Sequence, residues 1–457
     1  MSEIRGPVEH RDNPYFGLEY YDERFGAWFF GREVEGSRII SNLRAARLTL
    51  LYAGSGIGKS SLLRAGAAWR LRRAADDSLE RRGTPRFVPV VFSSWKDDPV
   101  ADLTAAINMA IEPYLAGRHP PRPADQLRVA IEEASSAVNA TLLIMLDQFE
   151  EYFLYLSREQ GRGRFADELA SCINRAEPGA NFLIAIREDA YGVLGDLFKD
   201  RIVNVYSNYL RIAPLDRATA EEAIRAPLTT YNSQPGVSAR MTIQHGLVEA
   251  VLDEVGTFGV AGDVPPGAAA TADSGIGYVA MPILQLVMER IWEIERAEGS
   301  HELRLSTLQS LGGSGTIIDR HVARALSSLS RGERQTAIDA LDHLVTPSGV
   351  IIAQSVPDLG HWTGQSEARV GSVLEKLDRE RLVRSVPAPP GQDPTRFRRY
   401  EVFHSVLGPG INRAVGAASQ QRRVRRTRHV TVTVGLLFLA LVGMTIIWAI
   451  LITRSSP

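Results

Sequence analysis

The stretch "LTLLYAGSGIGKSSLLRAG", residues 48–66, constrains this chain more than any other part of it. Its opening apolar run reads as a β-strand, and its closing residues open a helix. Between them, Gly58-Lys59-Ser60 is the core of a phosphate-binding loop. Backbone N–H groups of Gly54, Ser55, Gly56, Ile57, Gly58, Lys59 and Ser60 can wrap a phosphate, and the dipole of the following helix favours the negative charge. Lys59 would reach the β- and γ-oxygens of a nucleotide. The Ser60 hydroxyl, with Ser61 next to it in the first turn, would complete the shell of a Mg²⁺ ion. The loop pattern has glycine six positions before the lysine, where this chain has Ala53. That position is the strand end, where a methyl group is tolerable, while Gly56 and Gly58 remain where the backbone approaches phosphate. A glycine-rich turn that happens to precede a lysine is the alternative; the strand before it and the helix after it weigh against that reading.

A metal-dependent site also needs a carboxylate. Residues 141–153, "TLLIMLDQFEEYF", place an unbroken apolar run ahead of Asp147. Such a run suits a strand buried on both faces of a parallel sheet, with Asp147 at its C-terminal end, where open α/β sheets bind ligands. Glu150 and Glu151 follow within one turn, and either can polarise an attacking water; the sequence leaves the choice open. A strand-end Asp that caps a helix, and glutamates that are merely solvated, are the bland readings of the same residues. "NFLIAIRED", 181–189, reads as a further strand ending on Arg187. That arginine can contact a γ-phosphate, or it can pair on the surface with Glu188 or Asp189.

In this order and spacing, "NPYFGLEYYDE" (13–23), "FFGRE" (29–33), the loop, "LIMLDQFEEYF", "AIRED" and "MPILQLVMERIWE" (281–293) resemble a STAND NTPase. More narrowly, they resemble the bacterial novel STAND branch often fused to WD repeats, with a likeness running from about residue 13 to 407. The resemblance implies an ATP-dependent switch, ADP-bound and closed at rest, that nucleotide exchange opens into an oligomer. It places Gly31 and Arg32 beside the base and ribose, Pro282 on the adenine, and Arg187 as the sensor arginine. His404, in "YEVFHSVL" (400–407), would be the lid histidine that holds the ADP β-phosphate. A plain core histidine is the competing reading of His404.

At 457 residues and 44% hydrophobic, the chain can build two or three cores. A formal net charge of −1 argues against wholesale nucleic-acid binding. The single cysteine, Cys172, excludes an internal disulfide and reads as a small core residue. The polar start lacks the form of a signal peptide. Punctuation divides the chain into an aromatic N-terminal arm at 1–28, with Tyr15, Phe16, Tyr20 and Tyr21, and an α/β P-loop domain at 29–214 that Pro214 closes. A helical domain follows at 215–330, interrupted by a Gly-, Pro- and Ala-rich loop at 261–277. Residues 331–410 hold a helix at about 333–345, another within 366–383, and two strands around "PAPPGQDPTR", a pattern that suggests a winged helix. As a free module that shape binds DNA through residues such as Arg369, Lys376, Arg379 and Arg381. Here Glu367, Glu375, Asp378 and Glu380 interleave with them, and the resemblance makes the module a lid instead.

Residues 411–429 read as a basic linker, and 430–453 carry no charge. As a helix that segment spans about 36 Å at ~1.5 Å per residue, enough for a ~30 Å hydrocarbon core. Arg422, Arg423, Arg425, Arg426 and Arg428 precede it and only Arg454 follows, so the positive-inside bias keeps the preceding domains cytoplasmic. The expectation is a single-pass C-terminal anchor. With no effector ahead of the switch and no repeats after it, the expected partners are the lipid bilayer, other copies of the chain, and a separate sensor or effector protein. The sequence therefore points to a membrane-anchored, slowly hydrolysing ATPase switch in prokaryotic signalling or antiviral defence. A membrane-associated AAA-type motor and a membrane-tethered winged-helix DNA regulator are the alternatives.

Overall fold

The computed structural model describes residues 11–54, 56–95, 98–121, 125–155, 164–175, 179–237, 239–258, 279–346, 351–386 and 398–420. Helix α1 (Glu33–Ala45) leads into β1 (Leu48–Ala53), and the loop after β1 into α2 (Lys59–Ser61). That helix continues through a π-helical stretch at Leu62–Ala68 into α3 (Trp69–Arg82). Then come β2 (Phe87–Phe92), α4 (Pro99–Ile111), α5 (Leu127–Val138), β3 (Thr141–Leu146), α6 (Glu150–Tyr155), α7 (Arg164–Ile173), β4 (Ala180–Arg187), α8 (Tyr191–Phe198) and β5 (Tyr209–Arg211). The five strands form one parallel sheet in the order β2-β3-β4-β1-β5.

The central strands β1, β3 and β4 are mostly apolar because both sheet faces are covered there, whereas the edge strand β5 is largely exposed. Leu51, Ala53, Leu143, Met145, Leu183 and Ala185 enter one core, and Leu50, Leu142, Ile144, Leu146, Phe182 and Ile184 the other. Strand β2 escapes the sequence reading because Pro89 interrupts its pattern; the strand lies at the sheet edge, where proline is tolerated. The order has one large consequence. β4 separates β1 from β3, and its register sets Arg187 opposite Ala53 and Ile184 opposite Leu146. The ends of three adjacent strands, about 4.8 Å apart, thus carry the phosphate loop, Arg187 and Asp147 side by side.

The arm packs where its aromatic content requires. Tyr15, Phe16, Tyr21 and Trp28 are buried, while Tyr20 stays exposed. The Tyr15 hydroxyl donates to the Ile224 carbonyl at 3.0 Å, and the Tyr21 N–H donates to Ser61 Oγ at 3.1 Å. Beyond the sheet lie α9 (Arg217–Asn232), β6 (Thr242–Ile243), α10 (Leu247–Phe258), α11 (Met281–Ala297), β7 (Glu302–Leu303), α12 (Leu305–Leu311) and α13 (Gly313–Ser327). Gln285 of α11 accepts from the Phe16 N–H and the Tyr21 hydroxyl, both at 3.1 Å, so the arm straddles the phosphate-loop helix and α11.

The next unit contains α14 (Arg331–Asp342), β8 (Gln354–Ser355), α15 (Val356–Thr363), α16 (Glu367–Arg379), β9 (Val383–Val386) and β10 (Arg399–Val402). Its strands make an antiparallel sheet in the order β8-β10-β9. The two expected helices are present, started by a Ser330–Glu333 capping box and by Ser366. Helix α15 and strand β8, too short for a periodic signal, are additions to the expected pattern. A further helix occupies 408–420. The 261–277 loop, residues 421–429 of the linker and the 430–453 segment lie outside the described residues. Among those described, no helix is long and apolar enough to cross a membrane.

Candidate nucleotide-binding site

Lys59 is 9% exposed, and its ammonium donates to the Ala53 carbonyl at 3.1 Å and the Gly54 carbonyl at 3.2 Å. The loop thus fixes its own lysine at the mouth of the phosphate cradle. Asp147, 1% exposed, accepts the Ser60 hydroxyl on its carboxylate and the Gln148 N–H at 3.0 Å. Ser60 and Asp147 are therefore near enough to share one hard cation, and both offer the oxygen ligands Mg²⁺ prefers. Burial raises the Asp147 and Glu150 carboxyls above their ordinary range and carries Glu151 up to about 7. Burial also lowers Lys59, against the pull of Glu150 and Asp147. Several buried charges, only partly neutralised by one another, are the signature of a site shaped for a charged ligand.

The turn after Asp147 is held rigidly. Gln148 adopts a left-handed conformation at φ +54°, which costs about 1 kcal/mol or more for a residue with a Cβ. Its surroundings enforce it: the Phe149 N–H donates to the Ala185 carbonyl at 3.0 Å, and the Trp95 indole N–H to the Asp147 carbonyl at 2.8 Å. Trp95 packs edge-on against Phe92, Phe149, Tyr152 and Phe165. The sequence reading passes over Trp95 because it follows the unread strand β2. It also passes over Arg64, which donates to Ser93 Oγ at 3.0 Å and whose charge bears on Asp147.

The paired glutamates, indistinguishable in sequence, face different neighbours. Glu150 accepts the Arg187 N–H at 3.2 Å and feels Lys59 as its largest favourable charge. Glu151 instead feels Arg384 and Glu401 from β9 and β10. The Arg187 guanidinium pairs with Asp189 through two contacts at 3.1 and 2.8 Å, the ion pair that the sequence offered as one of its two readings, at a strand end beside the phosphate loop.

His404 reaches the loop from the other direction. Gly56 lies at φ +77°, and a Cβ placed on it would overlap the His404 ring. The Val406 N–H donates to Nδ1 at 3.2 Å, so the ring proton sits on Nε2, which faces the Gly56 backbone to which the ring is hydrogen-bonded. Burial first, then the nearby Arg384 charge, lowers His404 to about 4 and keeps it neutral at pH 7.

The remaining candidates are placed less directly. Pro282 is in the first turn of α11, one helical turn before Gln285, and so lies on the face that meets the arm. Arg32 is buried and donates to Glu35 and to the Ala213 carbonyl, each at 2.8 Å. Gly31 lies at φ +81°, where a Cβ would come within 2.5 Å of the Thr219 carbonyl oxygen. Arg32 thereby ties the start of α1 to the segment after β5, and Gly31 packs closely on the start of α9. Ser61 is engaged by Tyr21, Ile57 packs against the core, and Ser55 lies outside the described residues. Cys172 is buried, its thiol pushed up to about 12. A cleft of about 440 Å³ lined by Arg82, Arg86, Ser135 and Thr141 opens at the opposite end of the sheet, away from this chemistry.

A parallel sheet whose first strand ends in a lysine-bearing phosphate loop, with a buried carboxylate touching the loop serine, defines a nucleotide-binding P-loop NTPase. The chain belongs to the family described as Novel STAND NTPase 1, whose model matches residues 14–430. No curated protein matches it. Among solved structures it is similar to the ORC1 protein of Aeropyrum pernix in complex with DNA, at 16% identity and a TM-score of 0.41, covering 87% of this chain and 94% of that one. It is also similar to a Walker-type ATPase of Pyrococcus abyssi, at 14% identity and a TM-score of 0.41, covering 87% and 100%. The ORC2 protein of Aeropyrum pernix in ADPNP–ADP complexes is similar at 13% identity and a TM-score of 0.42, covering 89% and 99%.

Proposed function

We propose that the protein is an ATP/ADP switch in which residues 331–410, read as a winged-helix lid, close over ADP and open to admit ATP. The observation that carries this reading is the His404 ring seated on Gly56 of the phosphate loop. Lys59 would hold the β- and γ-phosphates, and Ser60 with Asp147 would hold Mg²⁺. The metal, when bound, neutralises phosphate charge. Glu150 orients and deprotonates the attacking water, and Arg187 turns from Asp189 towards a γ-phosphate. The neutral His404 donates from Nε2 to a phosphate oxygen. Gly31, Arg32 and Pro282 line the base side, as in the family. Opening exposes surfaces through which copies of the chain assemble.

Release of a fluorescent ADP analogue tests the lid. His404→Gln should release it at least several-fold faster than the parental chain. The pH profile carries the sign: His404 is depressed from 6.5 to about 4 in the closed form, so the open form takes the proton more readily between those values. Taken alone, His404 favours closure fully above pH 6.5 and weakens it by up to about tenfold per pH unit as pH falls towards 4. Glu151 offsets this in the parental chain, whose release should change little over that range. Glu151, raised to about 7, titrates in the opposite sense, so the Gln variant should slow rather than accelerate on acidification. Identical pH profiles for the two proteins would remove His404 from the latch.

The uncharged 430–453 segment and the arginines before it support a membrane anchor with the switch on the cytoplasmic side. Such a tethered switch fits signalling, including antiviral defence, with a separate sensor or effector protein. The near-zero net charge weighs against nucleic acid as partner. In fractionated cells the full chain should stay with membranes through alkaline carbonate and leave only in detergent; extraction by carbonate alone would rule the anchor out.

A further inference from the structure

We propose that Glu19 and Arg381 form a clasp through which the N-terminal arm holds the lid closed, making nucleotide release depend on residues far from the phosphates. The inference rests on the lid reading above. Arg381 forms an ion pair with Glu19, across 362 residues of sequence. On the arm side, the same short segment is tied down twice. Tyr21 donates its N–H to Ser61, the neighbour of Ser60, and its hydroxyl to Gln285, which also accepts from Phe16. On the lid side, Arg381 lies in the turn between α16 and β9, with its N–H donating to the Asp378 carbonyl and the Leu382 N–H to the Leu377 carbonyl, both at 2.9 Å. Three residues on, Arg384 pairs across β9 and β10 with Glu401, and β10 ends two residues before His404. The clasp residue and the latch residue therefore ride on one small rigid unit.

Two details mark this turn as more than a passing surface contact. Arg381 holds a left-handed conformation, φ +55°, at the C-terminal cap of α16, which fixes where its side chain leaves the turn. His321 of α13 is hydrogen-bonded to the Arg381 backbone, and its Nε2 is buried with no hydrogen-bond partner among the described residues. The Arg381 charge also bears on Glu289 of α11, against which Gly17 of the arm packs directly. Arm, α11, α13 and lid thus meet at Arg381: its guanidinium pairs with Glu19 and bears on Glu289, its backbone holds His321, and Glu293 nearby is paired with Arg290 at 2.6 Å. If the lid lifts from the loop, Arg381 must leave Glu19.

The pair is accessible, with side chains 40% and 38% exposed, so its contribution is modest and screened by salt. Release of fluorescent ADP from the full chain tests it. Arg381→Gly removes the guanidinium while relieving the left-handed backbone. It should release ADP about two- to fivefold faster at low salt, with an undiminished melting temperature and a weaker salt dependence than the parental protein. Glu19→Arg should also accelerate release, and Glu19→Arg combined with Arg381→Glu should return it towards the parental rate. Parental release from Arg381→Gly, or a double variant no slower than the singles, overturns the clasp. If His404→Gln accelerates release while the Arg381 variants do not, only the clasp fails; if none of them does, the lid reading fails with it.

Discussion

Lys59→Ala is expected to raise the dissociation constant for ATP at least about 100-fold. A lysine at the β/γ-phosphates makes charge-assisted hydrogen bonds, each worth roughly 1.5–3 kcal/mol, and every 1.4 kcal/mol is tenfold in affinity. The Ala53 and Gly54 carbonyls already hold the ammonium in position, so little binding energy goes into ordering it. The fold should survive, because burial disfavours the charged form of Lys59 and the core around β1 is built from Leu50, Leu51 and Ala53. Calorimetric titration with thermal melting separates the outcomes. Unchanged ATP affinity in a folded variant would dismiss the nucleotide site.

The second large effect concerns hydrolysis. Glu150→Gln should lower single-turnover ATP hydrolysis by about 10²- to 10⁴-fold, the range of a lost general base, while ATP affinity stays near the parental value. The proposed base is Glu150 and not its neighbour, because the two carboxylates face different groups. The Arg187 N–H orients its carboxylate beside Lys59, whereas Glu151 looks towards Arg384 and Glu401. Burial raises its carboxyl above the ordinary glutamate range, which makes it a stronger base than a solvated glutamate. Asp147 is committed elsewhere, held by the Ser60 hydroxyl and the Gln148 N–H. Parental hydrolysis by Glu150→Gln would pass the role to another group and break the division of labour argued for the pair.

Much of the site is legible in the sequence, for a local reason. A strand, a glycine-bearing loop and a helix start are written in consecutive residues, so "LTLLYAGSGIGKSS" announces backbone geometry and chemistry together. Asp147 is legible too, since five apolar residues ending in a carboxylate admit few structures other than a buried strand pointing at a ligand. The aromatic arm advertises its burial through composition alone, although not the partners it finds in Ser61, Ile224 and Gln285.

What only the tertiary structure decided is every relation between segments distant in sequence. The strand order that puts β4, and hence Arg187, between the loop and Asp147 arises from packing of helices on two sheet faces, which no local pattern encodes. Pro89 hid an edge strand whose position made it permissible. Glu150 and Glu151, identical in type and adjacent in sequence, were separated only by what the fold set beside each. His404 carries no local mark of the place it takes in the fold; its ring lies against Gly56, 348 positions earlier, whose missing side chain leaves room for it. Sequence thus determined the elements and the loop chemistry, because those follow from each residue's own backbone and polarity. The fold decided the pairings, because burial, charge and hydrogen bonding act between neighbours in space.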